Sequence, residues 1–154
     1  MKIIKKNNKL ILYIPKIDLE NSLDKIEKLE IYFTKLFLKL NNIYKIKING
    51  YYNITVYNNE IYGTIVELVQ EKLKYQKYLS DKIDMNIDII DNSDFIYKID
   101  DYYKSNKIIT FKINSDIYIK PINIDNNDLS ILMEHSNIIY GNELDKIKYK
   151  LKKI

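Results

Sequence analysis

The residue pattern of this 154-residue chain predicts an α+β fold made of two β-α-β-β-like halves, with antiparallel hairpins packed against amphipathic helices and a helix closing the C-terminus. Three observations carry that expectation. Apolar residues recur every three or four positions over residues 22–40, the period of a helix with one buried face. Elsewhere they alternate with polar residues in short runs, the period of a half-buried strand. Asn-rich pairs and isolated glycines separate those runs and supply the turns.

Taken in order, Lys9-Leu10-Ile11-Leu12-Tyr13-Ile14 is a β-type run that Pro15 closes, and Asn7-Asn8 can turn it back onto Ile3-Ile4. Asn21 and Asp24 mark a helix start. Leu23, Ile26, Leu29, Phe33, Leu36, Phe37 and Leu40 then share one face, with Asn41-Asn42 at the end and Ile31 and Leu38 off the stripe. A three-stranded meander follows. Ile46 and Ile48 form its first strand, Asn49-Gly50 turns into Ile54 and Val56, and Asn58-Asn59 turns into residues 61–69. Glu71–Asp84 reads as a helical or irregular linker with Leu73 and Leu79 touching the core.

The second half starts with Met85, Ile87 and Ile89 alternating with Asn86 and Asp88. Asn92 or Ser93 can cap a short helix bearing Phe95, Ile96, Ile99, Tyr102 and Tyr103. Residues 108–113 and 117–122 form a hairpin across Asn114-Ser115. The stretches 54–62 and 109–118 look alike, which points to a repeated β-α-β-β plan. Asn126 or Asn127 caps a helix with Leu129, Leu132 and Met133, and Ile138-Ile139-Tyr140 is a strand stopped by Gly141. Asn142 and Asp145 open a final helix with Leu144, Ile147, Leu151 and Ile154 on its inner face. The order strand, helix, hairpin, helix over residues 85–140 resembles the C-terminal domain of MecA-type protease adaptors; no residue role carries over from it. The chain is expected to be one compact unit, 1–154, with possible subdomains 1–70 and 85–154.

Composition limits the chemistry. There are 31 isoleucines, 18 asparagines and 15 tyrosines, all 25 basic residues are lysine, and Ala, Arg, Cys and Trp are absent. Ile, Asn, Lys and Tyr have A/T-rich codons, so this bias reflects an AT-rich genome and the lysines are weak evidence for a nucleic-acid surface. Without cysteine there is no disulfide, thiolate metal site or cysteine nucleophile. No apolar run reaches the ~18 residues of a membrane span and no signal-peptide pattern opens the chain, so a cytoplasmic protein with no membrane partner is expected. Residues 1–50 hold 11 lysines against 5 acids, and residues 81–101 hold 7 aspartates against 2 lysines; the net charge is +4.

No catalytic constellation emerges. His135, the single histidine, has Ser136, Glu134 and Glu143 near it in sequence, but neighbours on a helix point apart, so a structural or exposed histidine is the better reading. The aspartates at 81, 84, 88, 91 and 94, with 100 and 101 beyond, follow one another at three and four within the run with no glycine to turn a calcium loop, and read as a solvated acidic edge. The glycines are isolated, so there is no phosphate loop. No cofactor is expected. Tyr51, Tyr57 and Tyr62 form the candidate interface: Ile54 and Val56 claim the inner face of their strand, which turns Tyr51 and Tyr57 the other way. Exposed tyrosines offer rigid rings with wet hydroxyls, the chemistry of protein-binding hot spots. The expected role is a non-enzymatic protein–protein interaction module (adaptor, inhibitor or accessory factor) with an unknown protein partner. The alternative is a weak, sequence-tolerant nucleic-acid-binding protein, stacking bases on the same tyrosines.

Overall fold

A computed structural model describes residues 2–14, 26–59, 63–71, 83–100 and 107–154. Two five-stranded sheets and three α-helices make up the described part, an α+β fold with a helix near the C-terminus. The first sheet holds β1 (Lys2–Lys6), β2 (Lys9–Ile14), β3 (Gly50–Asn59), β4 (Gly63–Gln70) and β5 (Ile83–Ile90), in the order β1-β2-β4-β3-β5. The second holds β6 (Phe95–Ile99), β7 (Ile108–Ile113), β8 (Asp116–Pro121), β9 (Asn137–Tyr140) and β10 (Lys152–Lys153), in the order β10-β7-β8-β6-β9. All pairs are antiparallel except β3 with β5. Asn7 and Asn114 turn the β1–β2 and β7–β8 hairpins at positive φ, as expected of Asn in tight turns.

Helix α1 (Ile26–Asn42) lies on one face of the first sheet. Its buried stripe is Leu29, Phe33, Leu36, Phe37 and Leu40, and it meets Leu10, Leu12, Ile14, Ile54, Val56, Val66, Leu68 and Ile87. Ile31 and Leu38, off that stripe, are exposed. The expected cap at Asn21 and Asp24 lies outside the described residues, as do Leu23, Leu73 and Leu79.

Strand β2 is apolar on both faces because it is covered on both. Leu10, Leu12 and Ile14 turn to α1, while Ile11 and Tyr13 turn to the second sheet. There they join Ile65, Phe95, Tyr97, Ile108, Ile119 and Ile138, with Leu129 and Met133 from α2 (Asn126–His135). On the far face of the second sheet, Ile96, Tyr118 and Ile139 pack with Leu144 of α3 (Gly141–Ile147). The layers therefore run α1, first sheet, second sheet, α3. Among the described residues every buried side-chain nitrogen or oxygen has a hydrogen-bond partner.

Several elements depart from the sequence expectation. Residues 95–99 are strand β6 where a helix was predicted. Phe95 and Tyr97 face the first sheet and Ile96 faces α3, so the apolar run marks a strand buried on both sides. Tyr102 and Tyr103 lie outside the described residues. The order β-α-β-β holds for β2-α1-β3-β4, but β5-β6-β7-β8 has a strand in the helix position, which also removes the element order shared with the protease adaptors.

Residues 45–48 are no strand either. The Ile46 amide bonds the Leu40 carbonyl (3.0 Å) and the Ile48 amide bonds Oδ1 of Asn41 (2.7 Å), so the segment finishes α1 and Asn49-Gly50 leads into β3. Asp125 caps α2, its side chain accepting from the Asp128 amide at 2.8 Å. The final helix stops at Ile147; a 3-10 turn at Lys148–Lys150 leads to β10, which pairs with β7.

Candidate binding groove between the sheets

On the first sheet's inner face, Tyr13 of β2 and Tyr57 of β3 both stand opposite Ile65 of β4, so the two rings flank it across three strands. Glu67, two residues along β4, shares that face. From the second sheet Tyr140 of β9 reaches into the same space. Its ring meets Tyr57 edge-on at 5.0 Å and Phe95 at 6.3 Å. Its hydroxyl donates to Oε1 of Glu67 at 2.5 Å. Lys9 approaches the other carboxylate oxygen at 3.4 Å from the rim, and the Glu67 side chain is only 12% exposed. A groove of about 800 Å³ opens over these groups, with Lys6, Lys98, Asn137 and Glu143 on its rim.

The local field follows from this packing. Burial, aided by Glu143 and Glu67, pushes the Tyr13 hydroxyl up to about 12. Tyr57 is raised by burial and by Glu67. Tyr140 is raised by burial and by its hydrogen bond to Glu67. All three stay protonated far above neutrality, so they act as hydrogen-bond donors and aromatic surfaces and not as phenolate bases or nucleophiles.

Of the two described tyrosines expected at an interface, the groove takes in Tyr57 and not Tyr51. Tyr57 is half-buried within it. Tyr51 is also half-buried, but sits six residues back along β3, about 20 Å away, and its carbonyl accepts from the Glu71 amide at 2.9 Å. Tyr62 lies outside the described residues. Sequence reasoning missed Tyr13, Glu67 and Tyr140. A lone glutamate between Val66 and Leu68 in an apolar strand was the available signal, since a charge in such a run has a reason to be there.

The other candidates stay apart. His135 is exposed, and Ser136 donates to the Leu132 carbonyl at 2.5 Å, so the two form no dyad. Asp84, Asp88, Asp91 and Asp100 are exposed, and Asp94 pairs with Lys120 at 2.7 Å and with Lys148 at 3.7 Å. Asp81 and Asp101 lie outside the described residues. Among the described residues no three His, Asp or Glu side chains are placed to hold a metal ion, and no helix is long and apolar enough to cross a membrane. Compared with protein families, curated proteins and solved structures, the chain matches none.

Proposed function

We propose that this chain is a non-enzymatic protein-interaction module of the cytoplasm, and that the groove between its sheets receives a segment of a partner protein. One observation carries the reading: a carboxylate, Glu67, lies at the base of an open groove among the rings of Tyr13, Tyr57 and Tyr140. Aromatic faces around a sheltered carboxylate favour a cationic side chain, and Lys9 already occupies one side of Glu67 from the rim. A partner lysine or arginine entering the groove would meet the same chemistry. Nucleic acid is the weaker reading, because Glu67 and Glu143 oppose phosphate despite Lys6, Lys9 and Lys98 at the rim.

A photo-crosslinking residue placed at Tyr57, with partner capture compared between the native chain and Glu143→Lys, tests this. Crosslinks to one basic segment of a partner, weakened by the rim reversal, are expected. Capture that ignores the reversal and crosslinks elsewhere would sink the reading. Single-stranded RNA held at physiological salt would move the ranking to nucleic acid.

A further inference from the structure

The first sheet ends in two unlike edges, and among the described residues no strand pairs with the outer side of β1 or of β5. On the face turned to the second sheet, β1 carries Lys2, Ile4 and Lys6, and β5 carries Asp84, Asn86, Asp88 and Ile90. On the α1 face, Ile3 of β1 and Met85, Ile87 and Ile89 of β5 all touch the helix core. Lys2 and Lys6 are four residues apart, and so are Asp84 and Asp88. Three antiparallel pairings and one parallel pairing separate the edges, so β1 runs antiparallel to β5. A second copy shifted along the sheet would therefore bring its β1 antiparallel to β5 of the first.

We propose that β1 of one molecule adds to β5 of a second copy, with Lys6 opposite Asp84, Ile4 opposite Asn86, and Lys2 opposite Asp88. This register places Lys5 opposite Met85 and Ile3 opposite Ile87 on the α1 face. The backbone phase agrees with it. The two-residue turn at Asn7-Asn8 makes Lys6 and Lys9 a hydrogen-bonded pair, which turns the amides of Ile3 and Lys5 outward. On β5 the Met85 amide donates to the Asp84 carboxylate at 2.8 Å and so points away from β3. Odd-numbered residues thus present their amides on both edges. The Lys6–Asp84 pair falls at a non-hydrogen-bonded position, where Cα atoms about 4.5 Å apart bring side chains closest, and it carries the charge recognition, because the Lys2 ammonium already donates to the Ser136 carbonyl. As the Lys5 carbonyl takes the Met85 amide, the Lys6 ammonium approaches the Asp84 carboxylate. Edge lysines commonly keep strands apart. Here they repel β1 from another β1 and draw it to an acidic edge. The contact is head-to-tail and does not close, so it builds an open row of copies.

Sedimentation velocity across a concentration series at low salt tests the pairing. The native chain should show mass rising with concentration, and added salt should reverse it. Lys6→Asp and Asp84→Lys should each weaken association on the order of tenfold. Mixed in equal amounts they should associate again, because every junction between unlike copies pairs Lys with Asp or Asp with Lys. A native chain of constant monomer mass would overturn the proposal. So would reversal variants that associate like the native chain, or a mixture no better than its components.

Discussion

The hydroxyl of Tyr140 on β9 and the carboxylate of Glu67 on β4 form a hydrogen bond between the two sheets, joining residues 73 apart in the chain. A donor shared with a sheltered carboxylate is among the stronger side-chain bonds. Tyr140→Phe keeps the ring against Tyr57 and removes only the bond. It should cost about 1.5–3 kcal/mol in urea denaturation. A loss below about 0.5 kcal/mol would mean that Glu67 is fully served by Lys9 and water.

Phe33 and Phe37 stack at 6.0 Å on the inner face of α1 and are completely buried. Truncating either to Ala removes a ring that the neighbouring strands cannot move in to replace. The expected loss is about 3–5 kcal/mol each by chemical denaturation. Leu38→Lys, on the outer face where Leu38 is 52% exposed, should stay within about 0.5 kcal/mol.

Stability should fall on the alkaline side. Tyr13 rises from an ordinary value of 10.0 to about 12 on folding, and Tyr57 and Tyr140 shift in the same direction. The unfolded chain therefore releases these protons first. The contribution is complete below pH 10 and drains as pH climbs toward about 12. Tyrosinate absorbance followed beside circular dichroism should show these hydroxyls ionising together with unfolding. Glu67→Gln removes a charge that raises all three, so their ionisation should move to lower pH; an unmoved profile would contradict the assignment.

Gly141 follows Tyr140 at φ +58, and a Cβ there would meet the Tyr57 ring at 3.8 Å, an ordinary contact. Space is available, so the cost of a side chain is conformational. Gly141→Ala should lose about 1–2 kcal/mol, whereas Gly141→Asn should lose less because Asn tolerates that region. Equal losses for both in thermal melts would point to the ring contact instead.

Much of the fold was readable because local patterns coincide with tertiary roles. The α1 stripe, the alternation of β5 and the turns at Asn7 and Asn114 each mean one thing, whereas Asn49-Gly50 turns no hairpin and Asn58-Asn59 lie within β3. The readings that failed involve segments with two lawful interpretations. Phe95, Ile96 and Ile99 satisfy both a helical period and a strand buried on both faces, and only the presence of β8 and β9 on either side decides. Ile46 and Ile48 alternate like a strand, yet their amides go to the end of α1. The groove was half legible: alternation correctly set Tyr57 opposite Ile54 and Val56. What lies over that face is a property of the second sheet, which no local pattern near Tyr57 encodes.

The layering also has a kinetic side. Lys2 reaches the Ser136 carbonyl at 2.8 Å across 134 positions, so β1 is tied to the residue that ends α2 and precedes β9. At roughly 5–20 residues per second, a ribosome would leave the inner face of Ile11 and Tyr13 uncovered for roughly 6 to 25 s before β9 emerges. Contacts of such long sequence separation slow folding and prolong exposure of apolar strands. During translation, the surface that becomes the groove and its surrounding core thus stays open to non-native contacts until the second sheet closes over it.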